Sequence, residues 1–130
     1  MRLFGTGVDG GLADFILVPQ EALGCITPVA REITPPLLAL AEPLSCCLRA
    51  TRRLPIGPDS RVLVLGTGPI GLIHCALAAF AGARVMACGR AARLEPARTM
   101  GAETTTTSQG DDLAANVQEW TNGVGADVVI

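Results

Sequence analysis

The loop Gly66–Gly71 carries the clearest chemical pattern in the sequence. It has the spacing G-x-G-x-x-G and lies between a run typical of a buried strand and a run typical of a helix. In such a loop Gly66 allows a tight turn, Gly68 lets a diphosphate approach the backbone, and Gly71 lets the helix pack close to the strand. The helix start adds unpaired N–H groups and the positive end of the helix dipole. The pattern predicts a pyrophosphate site for a dinucleotide, the alternative being a purely structural turn. Its six residues are Gly66, Thr67, Gly68, Pro69, Ile70 and Gly71.

The end of the apolar run Arg84–Cys88 indicates which dinucleotide is bound. Dinucleotide folds usually carry an acidic residue about 20 residues beyond the glycine loop, where it binds the 2′-hydroxyl of the adenosine ribose. Here Gly89 stands in that place, Arg90 follows it, and Arg93 is close behind. A missing carboxylate removes a repulsion against a 2′-phosphate, and a guanidinium is well suited to phosphate. These residues favour NADP over NAD; in the alternative, both arginines are solvated surface residues.

Other residue types that could do chemistry are few. His74 is the only histidine, and within a helix it is expected to be an interior imidazole rather than a catalytic group. The five cysteines are odd in number and form no C-x-x-C pair, so we expect free thiols in a reducing, cytoplasmic setting. The sequence therefore assigns no catalytic residue.

Composition and charge exclude two classes of partner. The 130-residue chain has a formal net charge of -2 and no basic stripe, which gives no reason to expect nucleic acid. Its longest apolar stretch, 70–81, is too short to span a bilayer, and no signal peptide precedes the globular sequence. We therefore expect a globular protein that binds neither nucleic acid nor membrane.

The elements that must position the loop alternate along the chain. Strands are predicted at 61–65, 84–88, 104–107 and 126–130, and helices at 69–81, 92–100 and 111–121. This alternation predicts an α/β fold with a parallel sheet, which is an incomplete Rossmann fold made of the first four parallel strands and their crossover helices.

Residues 1–56 follow a different pattern. Gly10–Gly11 and the run Leu12–Val18 predict a turn followed by a strand. A helix is expected after Thr34, which can cap it, and Pro43 should kink or break that helix. Its apolar stripe is Leu37, Ala41, Leu44 and Leu48.

Four segments together resemble one enzyme family. They read D-G-G-L-A-D-F-I-L-V-P at 9–19, A-E-P-L-S-C at 41–46, G-T-G-P-I-G-L at 66–72 and T-N-G-V-G-A-D-V-V-I at 121–130. In these segments and their order the sequence resembles the zinc-dependent medium-chain alcohol and polyol dehydrogenases, especially the sorbitol and threonine dehydrogenase branch. The resemblance covers nearly the whole chain and identifies it as an internal fragment of such a protein.

The resemblance implies roles for particular residues. Glu42 matches the glutamate that approaches or ligates the catalytic zinc, for which a carboxylate is suited. Ile70 matches a residue that contacts the pyrophosphate through its backbone, and Arg93 matches an arginine that meets the adenosine side even in NAD enzymes. Gly89 departs from the family's usual Asp, and the connection from it to Arg93 is one residue shorter.

The resemblance also implies a domain organisation. Residues 1–35 would be the remnant of the family's β-rich, GroES-like catalytic domain, 36–56 a linking helix, and 57–130 the N-terminal part of the dinucleotide-binding domain. The family's remaining zinc ligands, a Cys and a His-Glu pair, belong to the catalytic domain.

The implied activity is oxidation of a small-molecule secondary alcohol or polyol to a ketone by a homo-oligomeric zinc enzyme that uses NADP or NAD. We expect the 130 residues alone to be inactive. Two alternatives stay open: a nucleotide-binding or interaction module without chemistry, and a zinc-free quinone or enoyl reductase of the same superfamily. Glu42-Pro43-Leu44 and the pair Pro69-Ile70 argue against the second alternative.

Overall fold

The computed structural model describes residues 4–107 and 109–130, which divide into two compact units, one ending at Thr34 and one comprising Pro35–Ile130. The described part of the first unit contains the 3₁₀ helix Gln20–Cys25. The elements of the second unit are α1 (Pro35–Leu38), α2 (Ala41–Thr51), β1 (Arg61–Leu65), α3 (Pro69–Phe80), β2 (Arg84–Cys88), the 3₁₀ turn Ala91–Arg93, α4 (Leu94–Thr99), β3 (Thr104–Thr106), α5 (Gly110–Trp120) and β4 (Val128–Val129). No helix in the described parts of the chain is long and apolar enough to cross a membrane.

The four strands form one parallel sheet in the order β3-β2-β1-β4. Leu63 of β1 lies opposite Met86 of β2 and Val129 of β4, which fixes the register at the centre of the sheet. The predicted parallel α/β fold is confirmed, with β4 shorter than the run 126–130. The strands follow one another through helices, as parallel pairing requires.

Both faces of the sheet are covered, which explains why its central strands are continuous apolar runs. On one face the sheet packs against α3 and α4, and the buried side chains there are Val62, Val64, Val85, Ala87, Val128, Cys75, Ala78, Ala97 and Ala102. On the other face Leu63 and Met86 pack against Val117 of α5. Full burial of a side chain such as Val85 stabilises the fold by about 2 kcal/mol.

The helix predicted after Thr34 forms as two pieces, because α1 ends at Leu38 and α2 begins at Ala41. In a continuous helix the ring of Pro43 would clash with the carbonyl group of Ala39, four residues earlier. Pro43 instead lies in the first turn of α2, where a missing N–H costs no helical hydrogen bond. The interruption therefore precedes the proline.

The strand predicted at Leu12–Val18 is not formed. Leu12, Phe15 and Leu17 are almost fully exposed, and the described part of this unit contains one isolated bridge, between Phe4 and Val8. A β-branched and aromatic run becomes a strand only where a neighbouring strand satisfies its backbone N–H and C=O groups. No described residue pairs with this run, so its sequence preference is not realised.

Ion pairs join the strands at the amino edge of the sheet. The Arg61 guanidinium donates two hydrogen bonds of 2.8 Å to the carboxylate of Asp127, just before β4. Arg84, at the start of β2, donates a 2.7 Å hydrogen bond to Glu103, and its guanidinium lies 5.5 Å from the ring centroid of Trp120. The Trp120 indole N–H also donates to Glu103, at 2.9 Å. At this edge, Arg61 and Arg84 are therefore both engaged in ion pairs.

Candidate dinucleotide-binding site

The glycine loop lies at the carboxyl edge of the sheet, between β1 and α3. The strand order places β1 between β2 and β4, so the chain order reverses direction at this point. Ligands of open α/β sheets bind at such a reversal, beyond the carboxyl ends of the strands. Gly66 donates a 2.8 Å hydrogen bond to the carbonyl of Cys88, and Leu65 donates a 2.7 Å hydrogen bond to that of Ile130. The start of the loop is thus held to both neighbouring strands.

Each of the three glycines of the motif is suited to its position for a different physical reason. Gly66 has φ +110°, a conformation that residues with side chains rarely adopt. A Cβ at Gly71 would collide with the carbonyl oxygen of Gly66 and lie 2.9 Å from its carbonyl carbon, so Gly71 is required for close packing of α3 on the loop. Gly68 has φ -77°, and among the described residues a Cβ there would meet only the Arg93 guanidinium, at 3.6 Å. The fold therefore requires Gly66 and Gly71, whereas the surface at Gly68 is left open.

The start of α3 is suited to an anion. Gly68 is the N-cap residue and provides no side-chain cap, so no side-chain oxygen competes for the first N–H groups of the helix. Pro69 occupies the first position, and the N–H groups of Ile70 and Gly71 follow it at the positive end of the helix dipole. A cavity of about 310 Å³ adjoins the loop, and its lining includes Gly68, Ile70, His74 and Ile130.

Gly89, at the end of β2, is in contact with the glycine loop. Its N–H donates a 3.0 Å hydrogen bond to the carbonyl of Thr106, which holds it in line with β3. A Cβ at position 89 would overlap the side chain of Thr67, which is only 3% exposed. The glycine pattern predicts that Thr67 lies in the loop, but it does not predict this contact, because no local pattern reveals which side chain faces the end of another strand.

The two arginines that follow β2 differ in position. Arg93 ends the 3₁₀ turn Ala91–Arg93, which replaces the first turn of the helix predicted at 92–100, and this turn brings its guanidinium against Gly68. Arg90 precedes the turn and is exposed. Within residues 4–107 and 109–130, neither Arg90 nor Arg93 forms an ion pair with a carboxylate. Both cations are therefore available to an anionic ligand at this edge.

Glu42 lies exposed in the first turn of α2. The thiol of Cys46, one turn later, donates a 3.3 Å hydrogen bond to its carboxylate, and this bond raises the pKa of the Cys46 thiol. Across the described ranges, no three His, Cys, Asp or Glu side chains lie close enough to hold a metal ion. Glu42 thus fits a zinc site as one accessible carboxylate ligand, and the described residues do not complete such a site.

His74 is buried in α3, as expected from the sequence. Its Nδ1 lies 3.3 Å from the hydroxyl oxygen of Thr51, so a hydrogen bond joins α2 to α3. Burial lowers the pKa of His74, which favours the neutral imidazole at neutral pH. This contact anchors the helix that carries the glycine loop.

The chain is similar to known dehydrogenases over nearly its whole length. A family model described as zinc-binding dehydrogenase matches residues 69–130. The sorbitol dehydrogenase of Halalkalibacterium halodurans is 32% identical over 129 residues, which cover 97% of this chain and 37% of that protein. The erythritol/L-threitol dehydrogenase of Mycolicibacterium smegmatis is 38% identical over 129 residues, which cover 98% of this chain and 35% of that protein. This chain therefore spans a little over a third of the length of these relatives.

Solved structures show the same fold. A Sinorhizobium meliloti protein described as a zinc-binding dehydrogenase, solved bound to NADP, superposes with a TM-score of 0.78 and is 32% identical, covering 98% of this chain and 38% of that one. An NAD-dependent alcohol dehydrogenase superposes with a TM-score of 0.81 at 22% identity, again over 98% of this chain and 38% of that one. The second of these similarities shows the fold alone. The family model and the curated relatives show that the chain belongs to the zinc-type medium-chain dehydrogenase family.

Proposed function

We propose that this chain is the pyrophosphate-binding part of a dehydrogenase that oxidises a secondary alcohol or polyol to a ketone with a nicotinamide dinucleotide. The observation that carries the proposal is the open surface at Gly68, at the uncapped start of α3 and at the point where the strand order reverses. The similarity to sorbitol and erythritol/L-threitol dehydrogenases supports a polyol as the substrate class.

Each part of the loop has a role in this proposal. The N–H groups of Ile70 and Gly71 donate to the pyrophosphate oxygens, and the end of the helix dipole adds favourable charge. Gly66 and Gly71 hold the loop in shape, and Gly68 leaves room for the phosphates. A nicotinamide bound here would supply the hydride-acceptor chemistry that oxidation of an alcohol needs. These residues therefore bind and orient the cofactor and transfer no proton themselves.

The domain organisation and the metal belong to the same proposal. Residues 57–130 are assigned to the dinucleotide-binding domain, 36–56 to the linking segment, and 1–35 to the catalytic domain. Glu42 is proposed as one zinc ligand, because it is an exposed carboxylate in the family's E-P-L segment. Zinc, when bound, supplies Lewis-acid polarisation of the alcohol oxygen. The 130 residues alone are expected to be inactive, since no cluster of three metal-ligating side chains is present among the described residues.

The proposed cofactor is NADP. Gly89 presents no carboxylate to a 2′-phosphate, and the guanidinium groups of Arg90 and Arg93 are free of ion pairs within the described residues. A charge-assisted hydrogen bond from arginine to phosphate is among the stronger polar contacts in proteins. The similarity to an NADP-bound S. meliloti protein supports the same choice.

The test is steady-state kinetics of the full-length protein with sorbitol and erythritol, each with NAD and with NADP. We expect a higher kcat/KM with NADP, and a clear preference for NAD would overturn the cofactor assignment. Metal analysis of the same preparation should find zinc; its absence would favour the zinc-free reductase alternative. Dinucleotide binding without oxidation of any alcohol would favour a binding module, and light scattering tests the expected homo-oligomer.

A further inference from the structure

The side chain of Thr67 packs so closely against Gly89 that no side-chain atom fits at position 89. Thr67 is the residue between the first two glycines of the loop, and its side chain is buried against the end of β2. A Cβ built at position 89 would overlap the Thr67 hydroxyl oxygen and would lie 2.7 Å from Cγ2 and 2.8 Å from Cβ of Thr67. Carbon atoms in ordinary contact are about 3.5–4.0 Å apart. A side chain at position 89 therefore cannot be accommodated beside Thr67 as the loop stands.

A change of rotamer at Thr67 does not remove the overlap. The hydroxyl and methyl groups of Thr67 can rotate away, but its Cβ moves only with the backbone. That backbone is fixed on both sides, because Gly66 donates a 2.8 Å hydrogen bond to Cys88 and Leu72 donates a 2.9 Å hydrogen bond to the carbonyl of Gly68. A residue other than glycine at position 89 must therefore displace the backbone of the glycine loop or of the end of β2.

We propose that Thr67 is a specificity-determining residue, which keeps the end of β2 free of any side chain and thereby commits the site to a dinucleotide with a 2′-phosphate. This inference rests on the proposed function. It differs from the simpler explanation, in which Gly89 is only the absence of an acid and an aspartate there would restore binding of the unphosphorylated ribose. In the present proposal, an aspartate at position 89 requires a smaller residue at position 67.

The two explanations differ in what Gly89→Asp does to the full-length protein. If Thr67 blocks position 89, G89D displaces the loop, weakens binding of both NAD and NADP by at least about tenfold, and lowers the Tm. The double variant T67G/G89D removes Cβ at position 67, so it recovers the Tm and binds NAD more tightly than NADP. T67A/G89D keeps the Cβ that lies 2.8 Å away and should recover only part of both quantities.

The measurements are Kd for NAD and NADP by calorimetry and Tm by thermal unfolding, for wild type, G89A, G89D, T67G and the double variants. G89A adds the Cβ without charge, so a lowered Tm that T67G/G89A recovers supports the steric contact even if G89D fails to fold. A preference for NAD in G89D alone, with an unchanged Tm, would overturn the proposal. So would double variants that are no better than the corresponding single variants at position 89.

Wild type and variants test different statements. Wild-type protein that binds neither dinucleotide contradicts the proposed function, and wild-type protein that binds NAD more tightly contradicts the assignment of NADP. Either result removes the commitment to a 2′-phosphate. Wild-type protein that prefers NADP upholds the proposed function whatever the variants do, and a failure confined to the variants then rejects only the role of Thr67.

Discussion

The two edges of the four-stranded sheet use arginine in opposite ways. At the amino edge, Arg61 is paired with Asp127, and Arg84 is paired with Glu103. At the carboxyl edge, Arg90 and Arg93 form no ion pair within residues 4–107 and 109–130. The backbone differs as well, since the carboxyl edge carries the glycine loop and the uncapped start of α3.

This difference separates charges that hold the sheet together from charges that can act on a ligand. A guanidinium that already donates to a carboxylate has little left to offer an anion, whereas an unpaired one adds to the positive end of α3. The unpaired guanidinium groups of Arg90 and Arg93 therefore lie at the edge where the strand order also reverses. The unpaired arginines and the glycine loop thus indicate the same edge of the sheet as the site of an anionic ligand.

The largest effect is expected from Gly68→Val at the carboxyl edge. The φ of -77° at Gly68 suits any residue and its surroundings are open, so the fold should persist while the side chain blocks the pyrophosphate. Loss of two charge-assisted hydrogen bonds costs about 3–6 kcal/mol, which is a fall in affinity of about 100-fold or more. Calorimetry of the full-length protein measures this, and an unchanged Kd would contradict the proposed site.

Gly71→Ala is the contrasting variant in the same loop. The added methyl group would collide with the carbonyl oxygen of Gly66, so the Tm should fall sharply along with dinucleotide binding. If G68V lowered the Tm as much as G71A, then the fold would require glycine at position 68. The open surface there would no longer support a pyrophosphate site.

The features of the carboxyl edge that depend on neighbouring residues could be predicted from the sequence. Strands 61–65 and 84–88 were predicted at their observed bounds, because each is a short apolar run buried on both faces. The order of the glycines, with a helix after them, also follows from neighbouring residues. The contact of Thr67 with Gly89 could not be predicted in this way, because it depends on the angstrom-scale spacing of the loop and β2.

Two other features of the structure could not be predicted from the sequence, because they also depend on residues far apart along the chain. The run Leu12–Val18 has the composition of a strand, but strand formation depends on a partner that composition cannot name. The fold likewise decides which carboxylates come near an arginine. It brings Asp127 to Arg61 and Glu103 to Arg84, whereas no described carboxylate forms an ion pair with Arg90 or Arg93. The sequence alone does not show which of these four arginines are paired, because their partners lie far away along the chain.

The next largest effect is expected from removal of the unpaired arginines. Arg90→Ala should weaken NADP binding by about tenfold, as expected for one charge-assisted hydrogen bond, with NAD binding nearly unchanged. Arg93→Ala should weaken both, because Arg93 lies against Gly68, where the two cofactors are alike. Arg84→Ala, at the opposite edge, is the matched control and should lower the Tm without changing either Kd. Equal losses of affinity from R84A and R90A would remove the distinction between the edges.

The smallest effect concerns the pH dependence of the amino edge. The Arg61 guanidinium lowers the pKa of Asp127 from its ordinary value of 3.8 to about 2. Above the ordinary value the carboxylate is charged in both the folded and unfolded states, and its pairing contributes fully to stability. As the pH falls from there toward the folded pKa, the unfolded state takes up a proton first, so the contribution is lost across that interval. The Tm of Asp127→Asn should therefore lie slightly below that of wild type at neutral pH, and the two should converge as the pH falls to about 2. The gap at neutral pH should also narrow in high salt, because the pair is near the surface. A gap that is the same at every pH would mean that the shape of the side chain, rather than its charge, holds β1 to the turn before β4.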